Sequence, residues 1–303
     1  MENFLTVKEA VMKYVEGCEG KVNMPGMKLF GKSILAGMMI AMGAAASSVA
    51  AHSISNVGLA RLAASVVFPV GLMMVILLGA ELFTGDCLMT MGTADGRHRI
   101  SDLIRVLATV FIGNFIGAAL LAMAVYASGQ FDYSGGLLGA YTIKVALGKV
   151  NLSFGQAMTS GILCNILVCA AVLMALCAKD IAGKLLASFF TIMLFVTAGF
   201  EHCVANMYYI TAGLAAGRNP GYVQQAMQEY GYTAEQLSAL NIENFLAANL
   251  LPVTLGNIVG GILIGLALFY LNREKAAEQK TVKEEKKNER GIIFGRNVAG
   301  AGH

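Results

Sequence analysis

The chain has 303 residues, of which 56% are hydrophobic and only 14% are charged. Because soluble globular proteins carry about 25% charged residues, this composition excludes a soluble protein and indicates one that crosses a membrane several times. The net charge of +3 is small, and Lys and Arg are distributed unevenly between the loops. We therefore interpret it as a sign of membrane orientation and expect no nucleic-acid partner.

The first segment, residues 1–28, is predicted to be an amphipathic helix on the cytoplasmic side of the membrane. It mixes acidic and basic residues with apolar residues that recur at roughly helical spacing, as at Ala10, Val11 and Val15. It lacks the continuous apolar stretch of a signal peptide, so a position at the lipid interface suits it better.

Six apolar stretches follow, and each is long enough to cross the hydrocarbon core, which takes about 20 residues. We therefore predict an all-α polytopic membrane protein whose transmembrane domain covers residues 29–271. The spans are predicted at residues 33–51, 63–92, 106–128, 152–178, 185–217 and 245–271. Residues 129–151 are irregular, with a short partial helix expected near 142–147, and residues 272–303 are predicted to form a charged cytoplasmic tail.

Lys and Arg are divided unequally between the two sides that six crossings define. Of the 22 such residues, 18 fall in the terminal segments and in the loops after the second and fourth spans. The other side holds only Arg61, Lys144, Lys149 and Arg218. Because positive residues favour the cytoplasmic side, we predict that both termini are cytoplasmic and that the protein resides in the cytoplasmic membrane.

The second and fifth spans are interrupted by related motifs, GAELFTGD at residues 79–86 and GFEHCVAN at residues 199–206. Further similarities between the halves occur in the same order, namely SILAG at 33–37 with AMTSG at 157–161, and GNFIG at 113–117 with GNIVG at 256–260. Each half has three spans, so the halves run in opposite directions. The pattern predicts an inverted 3+3 repeat with broken second and fifth helices, as in aquaporins.

The two interruptions carry ionisable groups at membrane depth, where such groups are costly and usually functional. We expect non-helical backbone at residues 83–86 and 203–206, which the protein itself must satisfy because lipid offers no hydrogen bonds. Glutamate carboxylates can accept N–H groups of the broken turns, and the alternative is that they are purely structural. The residues expected to support the breaks are Glu81, Glu201, Asp86 and Asn206. Two half-helix N-termini pointing inward would favour an anion.

His202 is the only histidine inside an apolar span, and Thr84 is a hydroxyl residue in the equivalent break. An imidazole can donate a hydrogen bond or a proton to an anion near neutral pH. The alternative is a neutral histidine that only stabilises the core. The adjacent Glu201 and the opposing Thr84 favour a pore centre in which His202 is the proton relay and Thr84 its hydrogen-bond partner.

Two further polar residues are Lys149, which flanks the fourth span, and Asn165, which lies in its middle. Lys149 is predicted to attract anions from the non-cytoplasmic side, unless it only extends its ammonium group to the lipid interface. Asn165 either lines the pore or bonds to a neighbouring helix. The sequence has no phosphate-binding loop, no HExxH helix and no CxxC pair, so we expect neither a metal nor a cofactor.

The twin motifs resemble those of the formate/nitrite transporter family, which are pentameric anion channels with an aquaporin-like protomer. The resemblance extends over residues 1–272 and is most specific at residues 79–85 and 201–207. It implies a homopentamer in the lipid bilayer, with one pore in each protomer and with small anions and protons as its partners. It also implies that the break carrying Thr84 is mobile and is linked to gating by the N-terminal helix.

The resemblance also implies specific pore residues. It places His202 at the pore centre beside Thr84, Lys149 near the outer vestibule and Asn165 along the pore. Apolar constrictions on either side of the histidine are expected at Phe68, Leu72, Leu82 and Phe195. Asp86 stands where many members of the family carry Asn.

We therefore predict a channel or transporter for small monovalent anions, with formate the first choice of substrate and nitrite the second. A hydrosulfide channel of the same family is an alternative. A neutral-solute channel of the aquaporin type is another, although the paired Asn-Pro-Ala signatures are absent. An enzyme is disfavoured because the sequence offers no second metal ligand or nucleophile dyad beside His202.

Overall fold

The computed structural model describes residues 4–273, and this part of the chain consists of helices, turns and one isolated bridge between Phe4 and Ala178. Six helical segments in it are long and apolar enough to cross a membrane. They are Gly26–Ala51, Val57–Leu78, Ile100–Ala127, Phe154–Cys177, Ile181–Ala198 and Ile242–Asn272. The predicted all-α fold with six spans is confirmed. Of the predicted tail, residues 274–303 lie outside the described residues.

The helices are numbered here in chain order. They are α1 Val7–Val22, α2 Gly26–Ala51, α3 Val57–Val67, α4 Val70–Leu78, α5 Phe83–Asp86, α6 Thr90–Ala94, α7 Ile100–Ala127, α8 Leu137–Val150, α9 Phe154–Cys177, α10 Ile181–Ala198, α11 Cys203–Ala216, α12 Pro220–Tyr230, α13 Ala234–Ser238, α14 Ile242–Asn244 and α15 Leu251–Asn272. A π-helical turn, Phe245–Leu250, precedes α15. Helix α8 is longer than the partial helix expected near residues 142–147. The polar insertion before the sixth span, residues 218–244, contains helices α12, α13 and α14.

Both interrupted spans end at a glycine in the left-handed conformation, which residues with a Cβ rarely adopt. Gly79 has a φ of 67° at the end of α4, and Gly199 has a φ of 76° at the end of α10. After three further residues the chain resumes helix at Phe83 and at Cys203. The glycine that opens each motif therefore sets the position of the break.

The sequence-based placement of the non-helical backbone is wrong by about one turn. Residues 83–86 and 203–206 are helical, and the irregular stretches are residues 79–82 and 199–202. The physical reason is that the left-handed glycine ends the helix at once, and the chain then starts a new helical turn at Phe83 and at Cys203.

Close contacts at glycine residues join α2 to α7 and α9 to α15. A Cβ on Gly117 would lie 2.0 Å from the carbonyl oxygen of Ile34, and a Cβ on Gly256 would lie 2.1 Å from that of Met158. Only a residue without a side chain lets the two backbones approach so closely. Gly260, the counterpart of Gly117 in GNIVG, would meet the carbonyl oxygen of Ile162 at 2.3 Å, and Ile162 lies just outside AMTSG, so the packing does not follow the predicted pairing of SILAG with AMTSG. The inverted direction of the two halves stays a prediction.

Helix α1 begins with a capping box, in which the Thr6 hydroxyl accepts from Glu9 N–H and the Glu9 carboxylate accepts from Thr6 N–H. Its buried face, which includes Val11, Val15 and Cys18, packs on α9, α15 and α6. The amphipathic N-terminal segment is thus docked on the end of the helical bundle.

Candidate functional site

Two cavities approach the broken spans from opposite ends of α2. The wide cavity, of about 610 Å³, is lined by Ser47 from the C-terminal end of α2 and by Lys149 and His202. The narrow cavity, of about 320 Å³, is lined by Lys32 from the N-terminal end of α2 and by Glu81. The two motifs therefore lie between two openings, which is the arrangement that a pore requires.

Apolar side chains separate the two cavities. Phe68 and Phe195 line the wide cavity, and their rings meet edge to face with centroids 5.6 Å apart. Leu72 and Leu82 line the narrow cavity. All four side chains are buried, and within residues 4–273 no residue lines both cavities. The four residues predicted as constrictions are thus divided between the two sides of the barrier.

One asparagine from each half holds a break in the same way. Asn114 Oδ1 accepts the backbone N–H of Phe83 at 2.9 Å, and its Nδ2 donates to the carbonyls of Glu81 and Ser33 at 3.0 and 2.7 Å. Buried backbone groups need such partners because no water or lipid can replace them. The short irregular stretch before α5 is therefore pinned to α7 and α2 through one side chain.

Asn257 repeats this pattern in the second half. Its Oδ1 accepts the N–H of Cys203 at 2.9 Å, and its Nδ2 donates to the carbonyls of Glu201 and Gly161 at 3.0 and 2.8 Å. We expected the glutamate carboxylates to accept the N–H groups of the breaks. At Phe83 and Cys203 that role belongs to the asparagines, because their amides can donate and accept at once.

The carboxylate of Glu81 is paired by lysines of α1 and α2. Lys21 Nζ of α1 lies 2.5 Å from Glu81 Oε2 and 2.5 Å from Asp86 Oδ1, and Lys32 Nζ lies 4.0 Å from Glu81 Oε1. Burial alone would lower the pKa of the Lys21 ammonium, but attraction by Asp86 and Glu81 outweighs it and the pKa is raised. Lys21 therefore stays charged and attaches the N-terminal helix to this break.

The carboxylate of Glu201 has a different set of partners. Lys149 Nζ lies 2.9 Å from its Oε1, and Asn206 Nδ2 donates to its Oε2 at 2.6 Å. Asn249, in the π-helical turn, accepts from Asn206 at 2.8 Å and donates to the carbonyl of Lys149 at 2.9 Å. A closed polar network therefore supports the second break, and it includes the lysine that the sequence analysis assigns to anion attraction.

His202 and Thr84 come from different breaks and meet directly. His202 Nε2 lies 2.9 Å from Thr84 Oγ1, and both residues are buried. The other ring nitrogen, Nδ1, accepts the backbone N–H of Ala205 at 3.0 Å and so caps α11. An accepting nitrogen carries no proton, so this network assigns the proton of the neutral ring to Nε2, which donates to Thr84. The Thr84 hydroxyl hydrogen is then free to donate to another group.

Asn165 lies behind this contact. Its Nδ2 donates to the carbonyls of Thr84 and Asn257 at 3.2 and 2.6 Å. One side chain therefore links the helix that follows the first break to Asn257, the residue that holds the second break. The linings of the two described cavities do not include it. A pore-lining role for Asn165 stays a prediction.

Comparison with known proteins identifies the family of this chain. A model of the family described as "Formate/nitrite transporter" matches residues 8–271. The chain belongs to the formate/nitrite transporter family. It is therefore a multi-pass membrane protein of a family of channels and transporters.

Several members of the formate/nitrite transporter family are similar to this chain. The formate channel FocA of Haemophilus influenzae is 38% identical over 217 residues, which are 71% of this chain and 76% of that protein. A probable formate transporter of Methanothermobacter thermautotrophicus is 37% identical over 270 residues, or 83% and 91% of the two chains. A solved structure of a pentameric formate channel with formate bound has a TM-score of 0.73 at 30% identity, and the match covers 81% of this chain and 96% of that one.

Sequence reasoning missed several residues that organise this family member. Asn114 and Asn257 were visible in the repeated GN pairs, which we interpreted only as evidence of an internal repeat. Lys21 gave no local signal, because only folding brings α1 to the first break. Asn249 gave none either, since its position depends on the π-helical turn. Such turns often occur at functional sites.

Proposed function

We propose that this protein is a channel for small monovalent anions, with formate the first choice and nitrite the second. The observation that carries the proposal is the buried contact of His202 Nε2 with Thr84 Oγ1. His202 lines the wide cavity, and Gly85, the neighbour of Thr84, lines the narrow one. The similar proteins named formate channels support the choice of formate. A hydrosulfide channel is the alternative within the family.

The barrier between the cavities explains why a donor is needed at this point. An anion that leaves water for an apolar constriction loses hydrogen bonds, and an unpaired buried charge is strongly unfavourable. Phe68 and Leu72 exclude water on the two sides, while the Thr84 hydroxyl remains free to donate because His202 already donates to its oxygen. Thr84 is therefore the group that offers a hydrogen bond to the passing anion, and His202 orients it.

The same geometry separates hydrogen bonding from proton transfer. A neutral His202 that gave up its Nε2 proton would become an anion, so a proton relay needs a proton on Nδ1 first. Nδ1 accepts from Ala205, and protonation would remove a helix cap worth about 0.5–2 kcal/mol. We therefore propose hydrogen-bonded passage near neutral pH, with proton-coupled passage only in acid, where protonated His202 breaks the cap.

We also propose the membrane orientation and the oligomeric state that the sequence predicts. Both termini lie in the cytoplasm, so the narrow cavity opens to the cytoplasm and the wide cavity to the opposite side. The functional unit is a homopentamer with one pore in each protomer, and the similar solved channel is described as pentameric. Docking of α1 through Lys21 connects the N-terminal helix to the first break and supports a role in gating.

Liposome flux measurements test the proposal. Rates of formate, nitrite, hydrosulfide and glycerol entry are compared at two pH values for the wild type and for His202→Ala and His202→Asn. We expect His202→Ala to lose formate flux, since Thr84 loses its partner and α11 its cap. His202→Asn retains a capping oxygen, so it separates the loss of the cap from the loss of the imidazole.

The outcomes discriminate between the functions. Faster hydrosulfide than formate entry would favour the hydrosulfide alternative, and glycerol flux that equals formate flux would favour a neutral-solute channel. If His202→Ala keeps the wild-type formate flux and pH profile, the role proposed for the pore centre is wrong.

A further inference from the structure

The cationic side chains that line the wide cavity differ in whether a carboxylate neutralises them. Arg61, Lys144 and Lys149 line it together with the carboxylate Glu229. Lys149 lies 2.9 Å from the buried carboxylate of Glu201. Because opposite charges cancel at distances greater than their own separation, this pair presents little net charge to an anion still in solution. Lys149 is therefore poorly suited to draw anions toward the pore.

Lys144 is held in place without being neutralised. Its Nζ lies 4.3 Å from the ring centroid of Tyr230 and 6.0 Å from that of Tyr141. Cation–π contacts position an ammonium while its charge persists. No carboxylate of residues 4–273 lies within 4.0 Å of it. Lys144 is thus a fixed positive charge in the wall of the wide cavity.

The aromatic support of Lys144 is itself rigid. Tyr230 ends α12, and α12 packs on α8, the helix that carries Lys144. The Tyr222 hydroxyl of α12 donates to Asp132 at 2.5 Å. Its ring lies against Gly139 of α8, where a Cβ would come within 2.5 Å of the ring. Helix α12 therefore holds the aromatic ring of Tyr230 at the wall of the wide cavity.

Arg61 supplies a second cation with no acidic partner in the described chain. Its Nη1 donates to the carbonyl of Thr197 at 3.3 Å, near the end of α10, and a Cβ on Gly199 would lie 2.4 Å from Nη1. A carbonyl contact orients the guanidinium but leaves its charge. Arg61 and Lys144 together outweigh the single carboxylate of Glu229 in the lining.

We infer that Lys144, seated on Tyr230, and Arg61 form the site that collects small monovalent anions in the wide cavity, while Lys149 holds Glu201 in position. This inference rests on the proposed anion-channel function. A fixed excess of one charge in a cleft with low-dielectric walls raises the local concentration of the opposite ion, and salt screens the effect. The site therefore acts on entry and leaves the passage through the barrier unchanged.

The test is uptake of radiolabelled formate by right-side-out and by inside-out membrane vesicles, over a range of formate concentrations and at two ionic strengths. We expect Lys144→Gln to lower uptake at low formate about threefold to tenfold and to reduce its salt dependence, with the saturated rate unchanged. Lys144→Arg keeps uptake at low formate near that of the wild type, because it keeps the positive charge. Glu229→Gln raises uptake at low formate above that of the wild type. These effects occur in only one vesicle orientation, the one whose wide cavity faces the added formate.

Three results would overturn the inference. Lys144→Gln could match the wild type at low formate, or it could lower the saturated rate as much as the low-concentration rate. Lys149→Gln could show the steering pattern in place of Lys144→Gln. A wild type that transports neither formate nor nitrite would instead overturn the proposed function along with this site, so the two failures are distinguishable.

Discussion

Substitution of Asn257 by Ala tests how the second break is held. Asn257 is fully buried and satisfies three backbone groups, the N–H of Cys203 and the carbonyls of Glu201 and Gly161. Leaving a buried polar group unpaired costs about 1–3 kcal/mol. Taking about 1 kcal/mol for each of the three backbone groups, we expect the free energy of unfolding to fall by about 3 kcal/mol. At roughly 2 °C per kcal/mol for a chain of this size, the melting temperature falls by about 6 °C.

The assay is thermal unfolding in detergent, followed by formate flux in liposomes at a temperature below both melting points. Because Asn257 fixes the residues on both sides of His202, we expect flux to fall at least about tenfold, or 1.4 kcal/mol. Asn272→Ala is the matched control on the same helix, since Asn272 makes one hydrogen bond, to Leu268 at 2.7 Å. A variant of Asn257 that melts within about 2 °C of the wild type and conducts normally would refute the reasoning.

Two other predictions concern helix packing and the N-terminal helix. Gly117→Ala is expected to destabilise the protein by about 1–3 kcal/mol through a backbone clash, whereas a Cβ at Gly155 meets nothing within 4 Å, so Gly155→Ala is the control in the same melting experiment. Burial raises the pKa of the Cys18 thiol to about 12, so at pH 8 it stays protonated and reacts slowly with maleimide. In a background where the partly exposed Cys177 is replaced by Ser, Lys21→Gln should increase Cys18 labelling several-fold, as measured by mass spectrometry, because α1 loses its charge contacts with the first break. Unchanged labelling would show that these contacts do not hold α1 in place.

The sequence brought together the two residues proposed for the pore centre, and it revealed less about the residues that support them. The isolated histidine and the twin motifs were enough to select His202 and Thr84, because ionisable and hydroxyl groups inside apolar spans are uncommon. The backbone of the breaks was misplaced, since the left-handed conformation of Gly79 and Gly199 is a three-dimensional choice. The roles of Asn114 and Asn257 depend on which backbone groups the helix ends leave unpaired.

Composition and hydrophobic spacing by themselves determined that this chain is an all-α membrane protein with six spans, because hydrocarbon admits only helices or closed barrels of a set length. They also indicated that one span in each half is interrupted, although the irregular backbone lies about one turn before the predicted residues. The tertiary structure alone decided which charges are neutralised. Lys149 and Glu201 are 52 residues apart in the chain and Lys21 and Glu81 are 60 apart, and only folding brings them together. Lys144 remains a free cation in the described chain because its neighbours in space are the aromatic rings of Tyr141 and Tyr230.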